Sequence, residues 1–305
     1  MVILFSAGNK GGLNGGINQP NTIATQASAR NCIAVGASES TRKNGNKDSV
    51  VYWSSCGPTS GGQIKPDVVA PGTAILSARS SVIDTGKTGT DDDHTDPRFQ
   101  FMQGTSMATP LVAGCCAVLR QALSSAPHNN KSPASSLIKA LLINGADPLV
   151  DRPNSTVGFG RVNMANSLQH IAVQPNPPLA GFDYRAGDKA LRLSRAAGDK
   201  LQEFTFAIPV ATPGRTLAVT LVWTDPWGSQ LQHELELSVT GANQTHSWDG
   251  PKNNVQRVIL KNAAAGSYQA LIKAIRLHDQ PPQAETPTEQ KEPAFQSFAY
   301  AWRIY

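Results

Sequence analysis

The chain has 305 residues, 40% of them hydrophobic and 16% charged, which is long enough and apolar enough for two globular domains with packed cores. Its net charge of +5 comes from 27 Lys and Arg against 22 Asp and Glu, spread without a basic cluster interleaved with aromatics, so nucleic acid is not an expected partner. Uninterrupted apolar runs stop well short of the roughly 18 to 20 residues that cross a bilayer, so no membrane partner is expected either, and no basic leader with a cleavage site follows Met1. The four cysteines, Cys32, Cys56, Cys115 and Cys116, suit small buried hydrophobes better than a disulfide framework.

In chain order, Val2 to Phe5, Cys32 to Val35, Val50 to Trp53 and Val68 to Ala70 read as strands, separated by Gly, Asn and Ser. Alternating with helical patterns, they predict an α/β domain with a parallel sheet over residues 1–172. From Ser106 to about Ser124 the residues are nearly all Ala, Val, Leu, Gly and Cys, which predicts a helix buried on every side. Ser132 is placed to cap a second helix, with Pro133 in its first turn, Leu137, Leu141 and Leu142 on one face, and Gly145 at its end. A shorter helix follows Gly158-Phe-Gly-Arg-Val-Asn163.

Gln174-Pro-Asn-Pro-Pro178 then breaks all periodicity, which places a linker at residues 173–180. Beyond it the apolar period becomes two, at Leu217, Val219, Leu221 and Trp223, at Leu235, Leu237 and Val239, and at Phe298, Tyr300, Trp302 and Ile304. Residues 181–305 therefore read as an antiparallel β-sandwich. Asp279 to Pro293, rich in Pro, Glu and Gln, reads as a long exposed hairpin loop.

Chemistry concentrates in Gly104-Thr-Ser-Met-Ala-Thr-Pro110, where Ser106 falls at the passage from loop into helix. A serine alcohol attacks a carbonyl only when a base takes its proton and donors stabilise the resulting oxyanion. The helix start offers unpaired N–H groups and a positive dipole end. Gly104 leaves room for a substrate backbone, and Pro110 is expected in the first turn, where its missing N–H costs little. An α/β-hydrolase elbow is excluded because G-x-S-x-G needs glycine where this chain has Ala108. A serine that merely caps a helix accounts for Ser106 alone but not for the motifs around it.

Gly104 to Pro110 resembles the nucleophile motif of the subtilisin-like serine proteases, and Ser6-Ala-Gly-Asn9 resembles their oxyanion segment. Lys65-Pro-Asp-Val-Val-Ala-Pro-Gly72 and Phe159-Gly-Arg-Val-Asn163 are similar to further family segments, so the likeness runs from Met1 to about Ile171. The resemblance implies a serine endopeptidase acting on protein or peptide substrates, monomeric when full length and secreted. It implies Ser106 as nucleophile, with the Asn9 amide and the Ser106 N–H as oxyanion donors. Ser6, Ala7 and Gly8 would line a substrate pocket, and Thr105 would support the hole.

In that family the triad Asp and His precede the oxyanion Asn, yet neither residue type occurs before Asn9. His94, the one histidine before Ser106, lies in the acidic stretch Asp91-Asp-Asp-His-Thr-Asp96 and reads as part of a solvated loop. The expectation is a truncated product of a longer gene, inactive alone; the alternative is a non-catalytic binding protein on the same scaffold. No cofactor is expected to be required.

Leu221-Val-Trp-Thr-Asp-Pro226, Ser247-Trp-Asp-Gly250 and Asn253-Asn-Val255 resemble the C-terminal jelly-roll domain of one branch of the family. A structural calcium would draw on Asp225, Glu234, Glu236, Asp249 and Asn253, with Asp91, Asp92 and Asp93 as a second, weaker group, although solvated strand edges and turns are the better explanation of these residues. Asn130, Asn154 and Asn243 stand in Asn-x-Ser/Thr patterns too common to decide secretion.

Overall fold

A computed structural model of the chain describes residues 1–12, 19–80, 95–96, 98–186, 189–192, 203–277 and 295–305. Contacts divide it into two units, one of Leu4–Ala117 with Asp147–Val162, the other of Met1–Ile3, Val118–Ala146 and Asn163–Tyr305. This division groups the second and third helices with the C-terminal sheets and does not follow a single cut in the sequence.

In the first unit, β1 (Leu4–Ser6), β2 (Ile33–Ser38) and β3 (Val68–Pro71) form a parallel sheet in the order β1-β2-β3. Every residue of β2 is buried, as a strand covered on both faces requires, and its sequence Ile-Ala-Val-Gly-Ala-Ser accordingly lacks alternation. The expected strand at Val50 to Trp53 is not formed. Only Val50 bridges Ser38, and the Ser54 hydroxyl takes the Ala37 N–H at 3.0 Å, a bond that a fourth strand would have needed. Lys65 and Asp67 form a buried ion pair at 2.7 Å, and the same carboxylate oxygen accepts the Ala34 N–H at 2.8 Å, tying the entry of β3 to β2.

An antiparallel ribbon of β4 (Ile75–Ala78) and β5 (Phe99–Met102), which the sequence pattern did not suggest, leads to the serine. Further on, Val69 donates to the Gly160 carbonyl and Val162 to the Val69 carbonyl, both at 3.0 Å, so the Phe159-Gly-Arg-Val segment docks along β3. Gly158 and Gly160 take positive φ there, and a Cβ at either would strike the carbonyls of Pro66 or Asp147.

Helix α1 (Thr105–Ser124) corrects the expectation of burial on every side. It buries Thr105, Ala108, Val112, Cys116, Leu119 and Leu123 at helical spacing but exposes Leu111 and Val118, because the described residues supply packing partners for one stripe only. By length and composition alone this helix could cross a bilayer, but its buried stripe shows one face packed within the protein. Pro110 is the sixth helical residue, in the second turn rather than the first, so the Ser106 carbonyl loses the N–H that would otherwise bond to it.

The second unit contains α2 (Ser135–Gly145) and α3 (Met164–Gln169). The N-cap of α2 is Ala134, without a side-chain bond, so Ser132 does not cap it; Ser132 donates its N–H to Asn130 Oδ1 at 3.2 Å in the preceding turn. Asn163 caps α3 by accepting the Asn166 N–H. The strands are β6 (Ala180–Arg185), β7 (Leu191–Arg192), β8 (Glu203–Val210), β9 (Arg215–Trp223), β10 (Glu234–Gly241), β11 (Gln244–Ser247), β12 (Val255–Ala263), β13 (Gly266–Arg276), β14 (Phe295–Gln296) and β15 (Phe298–Ile304). Eight of them form two four-stranded antiparallel sheets, β11-β10-β13-β8 and β12-β9-β15-β6, while β7 pairs with β14. Leu217, Val219, Leu221 and Trp223 join Leu235, Leu237, Val239 and Phe298 in the core these sheets share. Asp279 to Pro293 lies outside the described residues. The strands on either side of it, β13 and β14, belong to different sheets, so they do not pair as a hairpin.

The other face of β9 and β15 carries a buried polar layer beneath α2. Asn144 Nδ2 donates to Thr220 Oγ1 at 2.9 Å and to the Ala218 and Ala301 carbonyls at 3.2 Å, which turns its Oδ1 toward His170 Nε2 at 2.8 Å. Arg257 Nη1 donates to the Ile143 carbonyl in the last turn of α2. His170 Nδ1 lies 3.1 Å from the Ser167 carbonyl, so both ring nitrogens face acceptors. Burial, against weaker opposing hydrogen bonds and with Arg303 nearby, pushes the His170 pKa down to about 4.

Between about pH 6.5 and 4 the unfolded chain therefore binds a proton at this residue that the folded chain does not, and stability falls as pH drops through that window. The full effect is about 3 kcal/mol, since each tenfold difference in proton affinity between the folded and unfolded chain corresponds to roughly 1.4 kcal/mol. Urea denaturation at pH 7 and pH 4.5 should show a smaller pH-dependent loss for His170→Gln than for the wild type. Equal losses would place the buried proton acceptor elsewhere.

Candidate active site

The site is built where β1 runs out. Ala7 extends the parallel ladder by donating to the Val35 carbonyl at 2.9 Å, and its own carbonyl accepts from Ala24 at 2.8 Å. Gly8 then turns with φ +107°, its carbonyl accepting the Ser55 N–H at 2.8 Å while Ser55 Oγ accepts the Lys10 N–H at 2.9 Å. A Cβ on Gly8 would come within 2.9 Å of Ser55 Oγ, so the turn combines an unusual φ with a close approach. Ser6 is half-buried, Ala7 buried, and Asn9 stands exposed at the tip.

On the other side, Gly104 donates to the Gly72 carbonyl at 2.8 Å and takes φ +148°. The chain enters α1 there, and Ser106, its second residue, is exposed. Thr105 joins the two sides: Asn9 Oδ1 accepts both the Thr105 N–H at 3.0 Å and the Thr105 hydroxyl at 2.9 Å, and Thr105 Oγ1 accepts the Gly8 N–H at 3.2 Å. With its oxygen held twice, the Asn9 carboxamide must point its NH2 away from Thr105.

A Cβ placed on Gly104 would lie 3.4 Å from Asn9 Nδ2 and 3.6 Å from the Ser106 backbone nitrogen. Two donors thus flank one point that only glycine leaves open. The first N–H groups of a helix have no intrahelical acceptor, so the Ser106 N–H is available to a ligand at that point, reinforced by the dipole. Such a place suits a small anionic oxygen.

A profile of the subtilase family, Peptidase_S8, matches residues 1–160. The chain belongs to the subtilase family. It is 34% identical over 171 residues to the serine protease AprX of Bacillus subtilis (strain 168), a match covering 55% of this chain and 35% of that protein. Over 230 residues it is 31% identical to the serine protease/ABC transporter B family protein tagB of Dictyostelium discoideum, covering 59% of this chain and 12% of that one. The chain therefore spans about a third or less of the length of these relatives. Among solved structures, the prenylagaramide maturation protease PagA aligns with a TM-score of 0.40 at 23% identity, over 56% of this chain and 51% of that one.

The subtilase segment Lys65 to Gly72 reaches the site through Gly72, whose carbonyl holds Gly104; the motif pointed to this stretch, but nothing in it revealed that contact. His94 and Asp91 to Asp93 lie outside the described residues. Among the described residues no three His, Cys, Asp or Glu side chains are grouped so as to hold a metal ion. Asp225 instead accepts the backbone N–H groups of Gln232 and His233, and Glu234 pairs with Lys252 at 3.0 Å.

Replacing Thr105 by Val removes the hydroxyl that binds Asn9 and Gly8 without changing the side chain's shape. In urea titrations of this chain, Thr105→Val should lose about 1 to 3 kcal/mol and Thr105→Ser should keep most of that stability. Equal losses in the two variants would show that the methyl group, not the hydroxyl, holds the site together.

Proposed function

We propose that this chain carries the nucleophile and the oxyanion hole of a serine endopeptidase that hydrolyses protein or peptide substrates. The observation that carries the reading is the convergence of Asn9 Nδ2 and the Ser106 N–H on the space beside Gly104. Ser106 Oγ attacks the carbonyl carbon of the scissile bond, its proton passing to a base, and the carbonyl oxygen becomes an anion held by the two donors. Collapse breaks the C–N bond as the base returns its proton to the departing amine, leaving an acyl group on Ser106, and water deprotonated by the same base then removes that group through a second anion in the same place. Ser6, Ala7 and Gly8 line the approach to the serine, and the open face of Gly104 admits the substrate backbone. Thr105 acts through Asn9, as a positioning residue.

The base and the carboxylate that orients it are required by this chemistry. Ser106 Oγ bonds to no imidazole or carboxylate among the described residues, and no Asp or His precedes Asn9. As the resemblance to the family's Asp, His, Ser order implies, the reading takes both groups from polypeptide outside this sequence, with the chain by itself inactive. The C-terminal sheets are read as a jelly roll, supported by two four-stranded antiparallel sheets that, apart from the β10–β11 hairpin, draw alternately on the chain, β6, β9, β12 and β15 in one and β8, β10, β11 and β13 in the other.

In the complete protease, Ser106→Ala should abolish turnover of peptide substrates. Asn9→Ala should lower kcat about 10²- to 10³-fold with little change in KM, the magnitude for removing one such donor from subtilisin, a member of the same family. Undiminished turnover in Ser106→Ala, or a loss in Asn9→Ala confined to KM, would contradict these roles and favour a scaffold used for binding alone.

A further inference from the structure

A cavity of about 400 Å³ has walls that include Glu39, Arg42, Asn44, Thr73, Met102 and Gln103. Gln103 is three residues from Ser106, so that wall lies within about 11 Å of the nucleophile along the chain. An extended peptide advances about 3.3 Å per residue, which brings the cavity within roughly three residues of a bond held at Ser106.

The walls are fixed to the site and to one another. Gly104 donates to the Gly72 carbonyl at 2.8 Å, Gly72 donates to the Ser38 carbonyl at 2.8 Å, and Ser40 donates to Thr73 Oγ1 at 2.9 Å. Two non-glycine residues on the walls take positive φ, Asn44 at +62° and Ala74 at +50°. Such backbone is costly and collects where a surface must keep a particular shape.

The charges lining the cavity are unequally committed. Glu39 Oε2 accepts the Asn46 N–H at 2.7 Å and so braces its own loop. Arg42 has no carboxylate partner among the described residues, and its guanidinium lies 5.8 Å from the centre of the Phe101 ring. An aromatic face beside a guanidinium restrains it while leaving its N–H fork free, and that fork matches a carboxylate.

We propose that this cavity is a substrate subsite in which Arg42 binds an acidic side chain, Glu or Asp, of a peptide held at Ser106. The proposal rests on the peptidase reading and names a preference within it.

The test measures kcat/KM of the complete protease on matched peptides carrying Glu, Gln or Lys at one position, scanned over the three residues on each side of the cleaved bond. At one position Glu should exceed Gln by about 5- to 10-fold, as for a partly exposed charge-assisted pair, and the ratio should shrink toward one in 1 M salt. Arg42→Glu should invert the preference to Lys at that same position. Each ratio is internal to one variant, so a change in overall rate does not affect it. A ratio of one at every position in the wild type, a wild-type preference for Lys, or a Glu preference that persists in Arg42→Glu would overturn the subsite and leave Ser106 as nucleophile untouched. If the wild type cleaves none of the peptides, the peptidase reading fails and the subsite fails with it.

Discussion

A carboxamide can turn either its oxygen or its nitrogen toward a reacting centre, and an exposed one has little reason to choose. In this protein Thr105 makes the choice for Asn9. Its N–H and its hydroxyl both donate to Asn9 Oδ1, at 3.0 and 2.9 Å, so a flipped amide would set donor against donor. The Asn9 NH2 is left facing the open side of Gly104, beside the backbone nitrogen of Ser106. Residues 96 apart in sequence thereby form a single arrangement of donors, set before any substrate arrives.

That contact depends on the positions of two loops, and the parallel sheet supplies them. The Ala7 N–H prolongs the ladder of β1 into the turn that carries Asn9, and the Gly72 carbonyl beyond β3 holds Gly104. The buried pair of Lys65 and Asp67 tethers the start of β3 to Ala34 of β2. A buried pair is weak evidence for net stability, but removing one member leaves an uncompensated charge, so the two residues fix this junction together. Gly72 and Thr73 of these loops also belong to the network that holds the walls of the Arg42 cavity, so the geometry at Ser106 and the cavity share one support.

The sequence revealed most where the physics is local or strongly repetitive. The unbroken apolar run of β2 announces a strand buried on both faces, and the period-two residues of β10 announce a strand with one inward face, whereas β9 is buried on both. Ser106 stands at a helix start because the residues around it form a loop followed by an apolar run. Val50 to Trp53 misled because a hydroxyl from Ser54 displaces a ladder bond, and hydroxyls carry no period. The half-exposed α1, the uncapped start of α2 and the layer joining Asn144, His170 and Thr220 all depend on partners distant in sequence. Arg42 gave no signal either, since one arginine in a polar stretch reads as solvated surface until the loops around it are placed.

The most direct test is the structure of the complete protease after reaction with a fluorophosphonate. The account predicts one adduct, on Ser106 Oγ, with a phosphonyl oxygen accepting from both Asn9 Nδ2 and the Ser106 N–H while Thr105 still holds Asn9 Oδ1. An adduct on another residue, or an Asn9 side chain turned with its oxygen toward the phosphonyl group, would contradict it.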